Sequence, residues 1–192
     1  MYINCHSWFS FKYGVMKPDA LLEEAQKAGV RTLALTDIHC TAGISDLVRD
    51  AKRFDVRPVA GIEFRQGARL LYIGIAKNNE GFQQLNELLS PHLLDGEAIP
   101  DPSTPLGLEA LRRCGTDVFF IYPFSNAPSQ LCPNERIGIS PRDLTRLPFS
   151  PWAKRPQDLV ALLPVTFRNK KDFNVHRLLR TVAKNTVVSM LS

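Results

Sequence analysis

The stretch from Leu33 to Phe64, LALTDIHCTAGISDLVRDAKRFDVRPVAGIEF, limits the folds open to this chain more than any other. It reads as strand, helix, strand: an apolar run over Thr32–Thr36, then Ile44, Leu47, Val48 and Ala51 at helical spacing, then Val59–Phe64 after Pro58. Two parallel strands joined by a helix make a right-handed unit. Asp37 and His39 then fall just past the first strand and Glu63 near the end of the second. Barrel-like α/β folds build their chemistry where such loops converge.

The rest of the chain repeats the alternation. Tyr2–His6 reads as a first strand. Pro18, the stripe Leu21, Leu22, Ala25 and Ala28, and the stop at Gly29 predict a helix. A strand over Arg69–Ala76 precedes a helix from about Glu80, with Phe82, Leu85, Leu88 and Leu89 inward. The Pro-, Asp- and Ser-rich segment 91–106 predicts a long surface loop, followed by a short helix over Gly107–Arg113. Strands are expected at Val118–Tyr122, Arg136–Ile139 and Leu159–Phe167. Ser140 is expected to cap a short turn, and Asn169 a last helix from Lys170 that buries Val175, Leu178, Leu179 and Val182. About seven strands, mostly separated by helices, predict a parallel α/β barrel or a barrel-like sheet. With 192 residues, 44% hydrophobic, a single domain over 1–192 is expected.

Composition adds limits. The four cysteines are widely spaced without a C-x-x-C pair, which predicts buried free thiols. The start MYINCHSWF lacks a basic segment followed by an apolar one, and no apolar run reaches membrane-spanning length, so a cytoplasmic protein is expected. A formal charge of +5 permits a polyanionic partner. Arg168, Lys170, Lys171, Arg177 and Arg180 are either a weak nucleic-acid contact or the solvated face of the last helix. No Gly-rich phosphate loop or nucleophile elbow occurs.

Asn4 and His6 share a face at the end of the first strand. With Asp37, His39 and Glu63 they form a candidate ligand set for zinc or a hard divalent ion. The alternative is that His6 is hydrogen-bonded within a loop packed by Trp8 and Phe9, while Asp37 braces a turn.

Four segments carry a family resemblance: Asn4-Cys5-His6-Ser7 with Ser10 and Gly14; Leu33-Ala34-Leu35-Thr36-Asp37; Pro58-Val59-Ala60-Gly61-Ile62-Glu63-Phe64; and Ala76-Lys77-Asn78-Asn79-Glu80-Gly81-Phe82. Together they resemble the PHP (polymerase and histidinol phosphatase) domain, in the version that opens the alpha subunit of bacterial DNA polymerase III. Asn169-Lys170-Lys171-Asp172, with His176 and Leu178-Leu179, is similar to the helix that closes that domain.

The resemblance implies a distorted seven-stranded (β/α) barrel. In members with intact sites it implies a multinuclear metal centre, with Mn, Zn or Mg, that hydrolyses phosphoesters or excises nucleotides. Carried over residue by residue, that site is degenerate here. Asn4 and Ile38 stand where the family has histidine, and Tyr13 where it has an acidic or histidine ligand. Leu71, Tyr122, Pro164 and Thr166 fall at the later ligand positions. His6 and Glu63 are retained, Asp37 matches, and His39 is one residue late.

The resemblance thus implies a structural or docking domain linked to DNA replication, with no cofactor. Its expected partners are a polymerase catalytic portion or other replication proteins, with DNA a further candidate. The alternative it leaves is an active metal-dependent phosphoesterase or 3'-5' proofreading exonuclease working through His6, Asp37 and Glu63.

Overall fold

The structure is a computed structural model, and residues 1–191 are described. Seven strands follow one another across one sheet in chain order: β1 (Tyr2–Cys5), β2 (Thr32–Leu35), β3 (Arg57–Gln66), β4 (Arg69–Ala76), β5 (Val118–Pro123), β6 (Glu135–Ile139) and β7 (Leu159–Ala161). Five helices accompany them: α1 (Pro18–Lys27), α2 (Gly43–Ala51), α3 (Asn79–Asp95), α4 (Pro105–Arg112) and α5 (Lys170–Lys184). This is the expected α/β fold. The chain forms two compact units, Met1–Ala60 with the chain from Pro164 on, and Gly61–Leu163.

In the first unit β1, β2 and the start of β3 are parallel, with Thr32 opposite Arg57 and Leu35 opposite Ala60. Helices α1 and α2 return the chain between them, as short parallel strands require. Pro18 opens α1, and its C-terminal Gly29 takes φ +67°, a left-handed conformation that glycine adopts without strain. Leu21, Leu22, Leu33, Leu35 and Leu47 are buried. The other edge of β1 pairs with Val165, whose N–H donates to the Asn4 carbonyl at 2.8 Å while its own carbonyl accepts from His6 N–H at 2.9 Å.

In the second unit β4 runs antiparallel to both β3 and β5, while β5, β6 and β7 are parallel. The antiparallel part departs from an all-parallel sheet. Between β3 and β4 the cause is local: Gly67, at φ +60°, turns the chain in two residues, too few for a helical crossover. Ile62, Phe64, Leu71, Tyr72, Leu85, Val118, Phe120 and Tyr122 form the core of this unit.

Three further expectations are corrected. The loop expected over 91–106 is shorter, because α3 continues through Pro91 to Asp95 and α4 begins at Pro105. Leu89 anchors that last stretch in the core, and Gly96 closes it in a left-handed conformation at φ +71°. The strand expected over Leu159–Phe167 stops at Ala161, with Leu163 and Pro164 exposed and only Val165 bridging to β1. Proline has no N–H for a ladder, which suits the interruption.

The third correction concerns α5, whose apolar stripe is not core. Val175, Leu178 and Val182 are exposed, and Leu179 is half-buried. Its caps are as expected: Asn169 accepts from the Asp172 N–H at 3.0 Å, and Asn185 ends the helix at φ +48°.

Candidate functional site

The C-terminal ends of β1 and β2 carry the polar residues of the first unit. Asp37 is 1% exposed, and its carboxylate is fully engaged. Oδ1 accepts from the Ser7 N–H at 2.7 Å and the Ser10 hydroxyl at 2.6 Å, and Oδ2 from the Ser7 hydroxyl at 2.5 Å. The Ser10 oxygen in turn accepts from the Ile38 N–H at 3.1 Å. Asp37 thus ties the loop after β1 to the turn after β2. Burial pushes its carboxyl above the usual range, opposed by the hydrogen bonds from Ser10 and Ser7.

Asn4 and His6 are buried beside it. The Asn4 side-chain carbonyl accepts from the Thr36 hydroxyl at 3.0 Å, and His6 Nδ1 lies 3.3 Å from the Thr166 hydroxyl. His6 also meets the ring of Tyr13 edge-on, with centroids 5.0 Å apart. Tyr13 is held from its other side by His176 of α5, whose ring is edge-on at 4.7 Å and whose Nδ1 is 2.7 Å from the Tyr13 carbonyl. The Arg180 guanidinium stands 5.2 Å from the Tyr13 ring centroid. A Cβ on Gly14 would fall inside the Ser7 carbonyl, so this loop requires glycine there. His39 is half-buried at φ +49°.

Glu63 belongs to the second unit, where it is fully buried and ion-paired with Arg65 Nε. Leu71 is buried, and its carbonyl accepts from Asn126. Tyr122 is buried and donates its hydroxyl to Glu135 at 3.0 Å. The Arg112 guanidinium donates to both Glu135 oxygens at 3.0 Å, and the Cys132 N–H adds a bond at 2.7 Å. This buried Glu135 cluster had no sequence signal, because its members come from β6, β5, α4 and a loop.

Among the described residues, no group of three His, Cys, Asp or Glu side chains gathers in a way that could hold a metal ion. The basic residues near α5 are partly engaged: Arg168 pairs with Asp172, Arg177 donates to the Val188 carbonyl and Arg180 stacks on Tyr13. Lys170 and Lys171 are exposed. Cys5 and Cys114 are buried as expected, whereas Cys40 and Cys132 are half-buried.

A family profile described as PHP domain matches residues 3–116, which include Asn4, His6, Asp37 and Glu63. The chain belongs to the PHP domain family. It is 33% identical over 106 residues to an error-prone DNA polymerase of Mycobacterium bovis, covering 50% of this chain and 10% of that one. A Pseudomonas aeruginosa error-prone DNA polymerase is 34% identical over 90 residues, covering 46% and 8%. The aligned region is about a tenth of the length of these polymerases.

Two solved structures are also similar. One is a two-domain protein of Bacteroides vulgatus containing a region described as a PHP-like metal-dependent phosphoesterase, with 13% identity, a TM-score of 0.45, and 72% and 43% of the two chains covered. The other is an amidohydrolase from Chromobacterium violaceum, with 14% identity, a TM-score of 0.43, and 96% and 84% covered. No helix among the described residues of this PHP chain is long and apolar enough to cross a membrane.

Proposed function

We propose that this chain is a single PHP domain of the DNA polymerase III alpha-subunit type with a degenerate metal site. Its role is structural: a cytoplasmic docking domain for a polymerase catalytic portion or another replication protein. The observation that carries the reading is the Tyr13 ring placed edge-on against His6 and backed by His176. Tyr13 stands where the family resemblance implies a ligand.

The remaining donor chemistry does not fit a metal centre. A hydrolytic metal ion needs fixed lone pairs on its ligands and an open position for water. Here the Asp37 oxygens accept three hydrogen bonds, the Asn4 carbonyl accepts from Thr36, and Glu63 is paired with Arg65. Stripping those partners would leave buried polar groups unsatisfied. His6, Asp37, His39 and Glu63 therefore carry no hydrolytic step. In this reading Asp37 and His6 tie the loop after β1 to the turn after β2 and to Thr166, and Glu63 serves as the counter-ion of Arg65. The exposed stripe of α5, Val175, Leu178 and Val182, is consistent with a docking domain.

The test is elemental analysis of the purified chain, with melting curves in chelator and in added manganese or zinc. A ligand that binds the folded state raises the melting temperature by mass action. We expect substoichiometric metal and coincident curves. Stoichiometric metal, a chelator-sensitive melt and phosphatase activity abolished by His6→Ala would establish the active enzyme instead.

A further inference from the structure

At the opposite end of β2 and β3 from Asp37, a groove of about 530 Å³ opens between the C-terminal half of α2 and the starts of the two strands. Six chain steps of roughly 3.3 Å rise lead from Arg31 to Asp37, so the groove lies on the order of 15–20 Å from that cluster. Its floor is aliphatic: Val48, Ala51, Val56 and Pro58. Its rim carries Arg31, Lys52 and Arg57 against a single carboxylate, Asp55. None of these three cations makes an ion pair with a carboxylate among the described residues. Val48 sits on the stripe with Ile44, Leu47 and Ala51 and yet is 50% exposed.

We infer that this groove binds a short acidic peptide segment through an aliphatic anchor, with Arg31 and Arg57 receiving the flanking carboxylates. Three features of the groove select that ligand. The lining contains no aromatic ring, so bases of a single-stranded nucleic acid would find nothing to stack on. A free inorganic anion would leave the exposed Val48 and the apolar floor uncovered. Guanidinium groups on adjacent parallel strand starts suit planar carboxylates, which they grip in bidentate fashion. Lys52 caps α2, where its charge is partly offset by the negative end of the helix, so the arginines carry the selectivity.

The experiment is a titration of the isotope-labelled full chain, followed by amide chemical shifts. The probe is an acetylated, amidated hexapeptide of two leucines flanked on each side by two acidic residues. Parallel arms use the same peptide with serines for the leucines, inorganic phosphate and oligothymidylate.

Shift changes centred on Val48, Ala51 and Val56 are expected with the leucine peptide. Affinity should fall at least tenfold in Arg31→Glu/Arg57→Glu and in Val48→Asp, and at least threefold with the serine peptide. All the substituted side chains are exposed, and the milder Arg31→Gln/Arg57→Gln pair stands in if the charge reversal impairs folding. Shift changes elsewhere, equal binding by wild type and the folded variants, or oligothymidylate or phosphate perturbing these amides while the peptide does not, would each overturn the assignment.

Discussion

The Tyr13 ring meets that of His6 edge-on, with centroids 5.0 Å apart and planes at 73°. Tyr13 is itself clamped by His176, so one aromatic side chain links the loop after β1 to α5. Tyr13→Ala should therefore loosen both. Tyr13 is half-buried, so a loss of about 1–3 kcal/mol is expected, below the range for a fully buried aromatic. Urea unfolding measures it. A double-mutant cycle with His176→Ala should give a coupling of roughly 0.5–1.5 kcal/mol. Additive effects would show that the ring contacts contribute nothing.

The burial pattern separates two leucines that look equivalent in sequence. Leu47 of α2 is fully buried, and Leu47→Ala should cost about 2–5 kcal/mol. Leu179 of α5 is half-buried, and Leu178 is 55% exposed. Leu179→Ala should cost roughly 1 kcal/mol and Leu178→Ala within about 0.5 kcal/mol in the isolated chain. Equal losses at Leu47 and Leu178 would show that α5 is buried in solution.

That contrast marks what the sequence could carry. Helix caps, the Arg69–Ala76 strand and the placement of Asp37 past β2 were legible because each depends on neighbours in sequence. Periodicity shows that α5 has an apolar face but not whether anything covers it. A parallel sheet was the expectation, although the two residues between β3 and β4, Gly67 among them, leave no room for a helical crossover. At the site, which residues stand at strand ends was readable. What holds them was not: His6 meets Thr166 and Tyr13 meets His176, 160 and 163 positions apart.

Asp37 gives a pH dependence with a definite sign. Its carboxyl is raised by burial above an ordinary value of 3.8. The stability it contributes is therefore fully present below the unfolded value and is lost as pH rises through the folded one. Asp37→Asn does not titrate there and leaves one donor short of an acceptor, at a cost of about 1–3 kcal/mol. The gap between wild type and variant should narrow as pH is raised from about 4 toward neutrality. Unfolding free energies measured across that range check it, and a gap that widens with pH would refute the direction.

The Glu135 cluster allows a sharper comparison, because its carboxylate keeps or loses a charge partner depending on which neighbour is removed. Tyr122→Phe deletes one hydroxyl bond and leaves the Arg112 fork and the Cys132 N–H in place. A loss of about 1 kcal/mol is expected. Arg112→Met instead leaves a carboxylate that is 1% exposed without its counter-ion. Breaking such a pair from one side costs roughly 3–5 kcal/mol. The Arg112 side chain is 34% exposed, so water can reach it and the lower end applies. Replacing both partners, Arg112→Met with Glu135→Leu, removes the buried charge and should recover part of the loss. Chemical denaturation of the three variants gives the order: Tyr122→Phe least affected, Arg112→Met most, the double variant between them. If Arg112→Met were as mild as Tyr122→Phe, the ion pair would not be what holds β6 to α4.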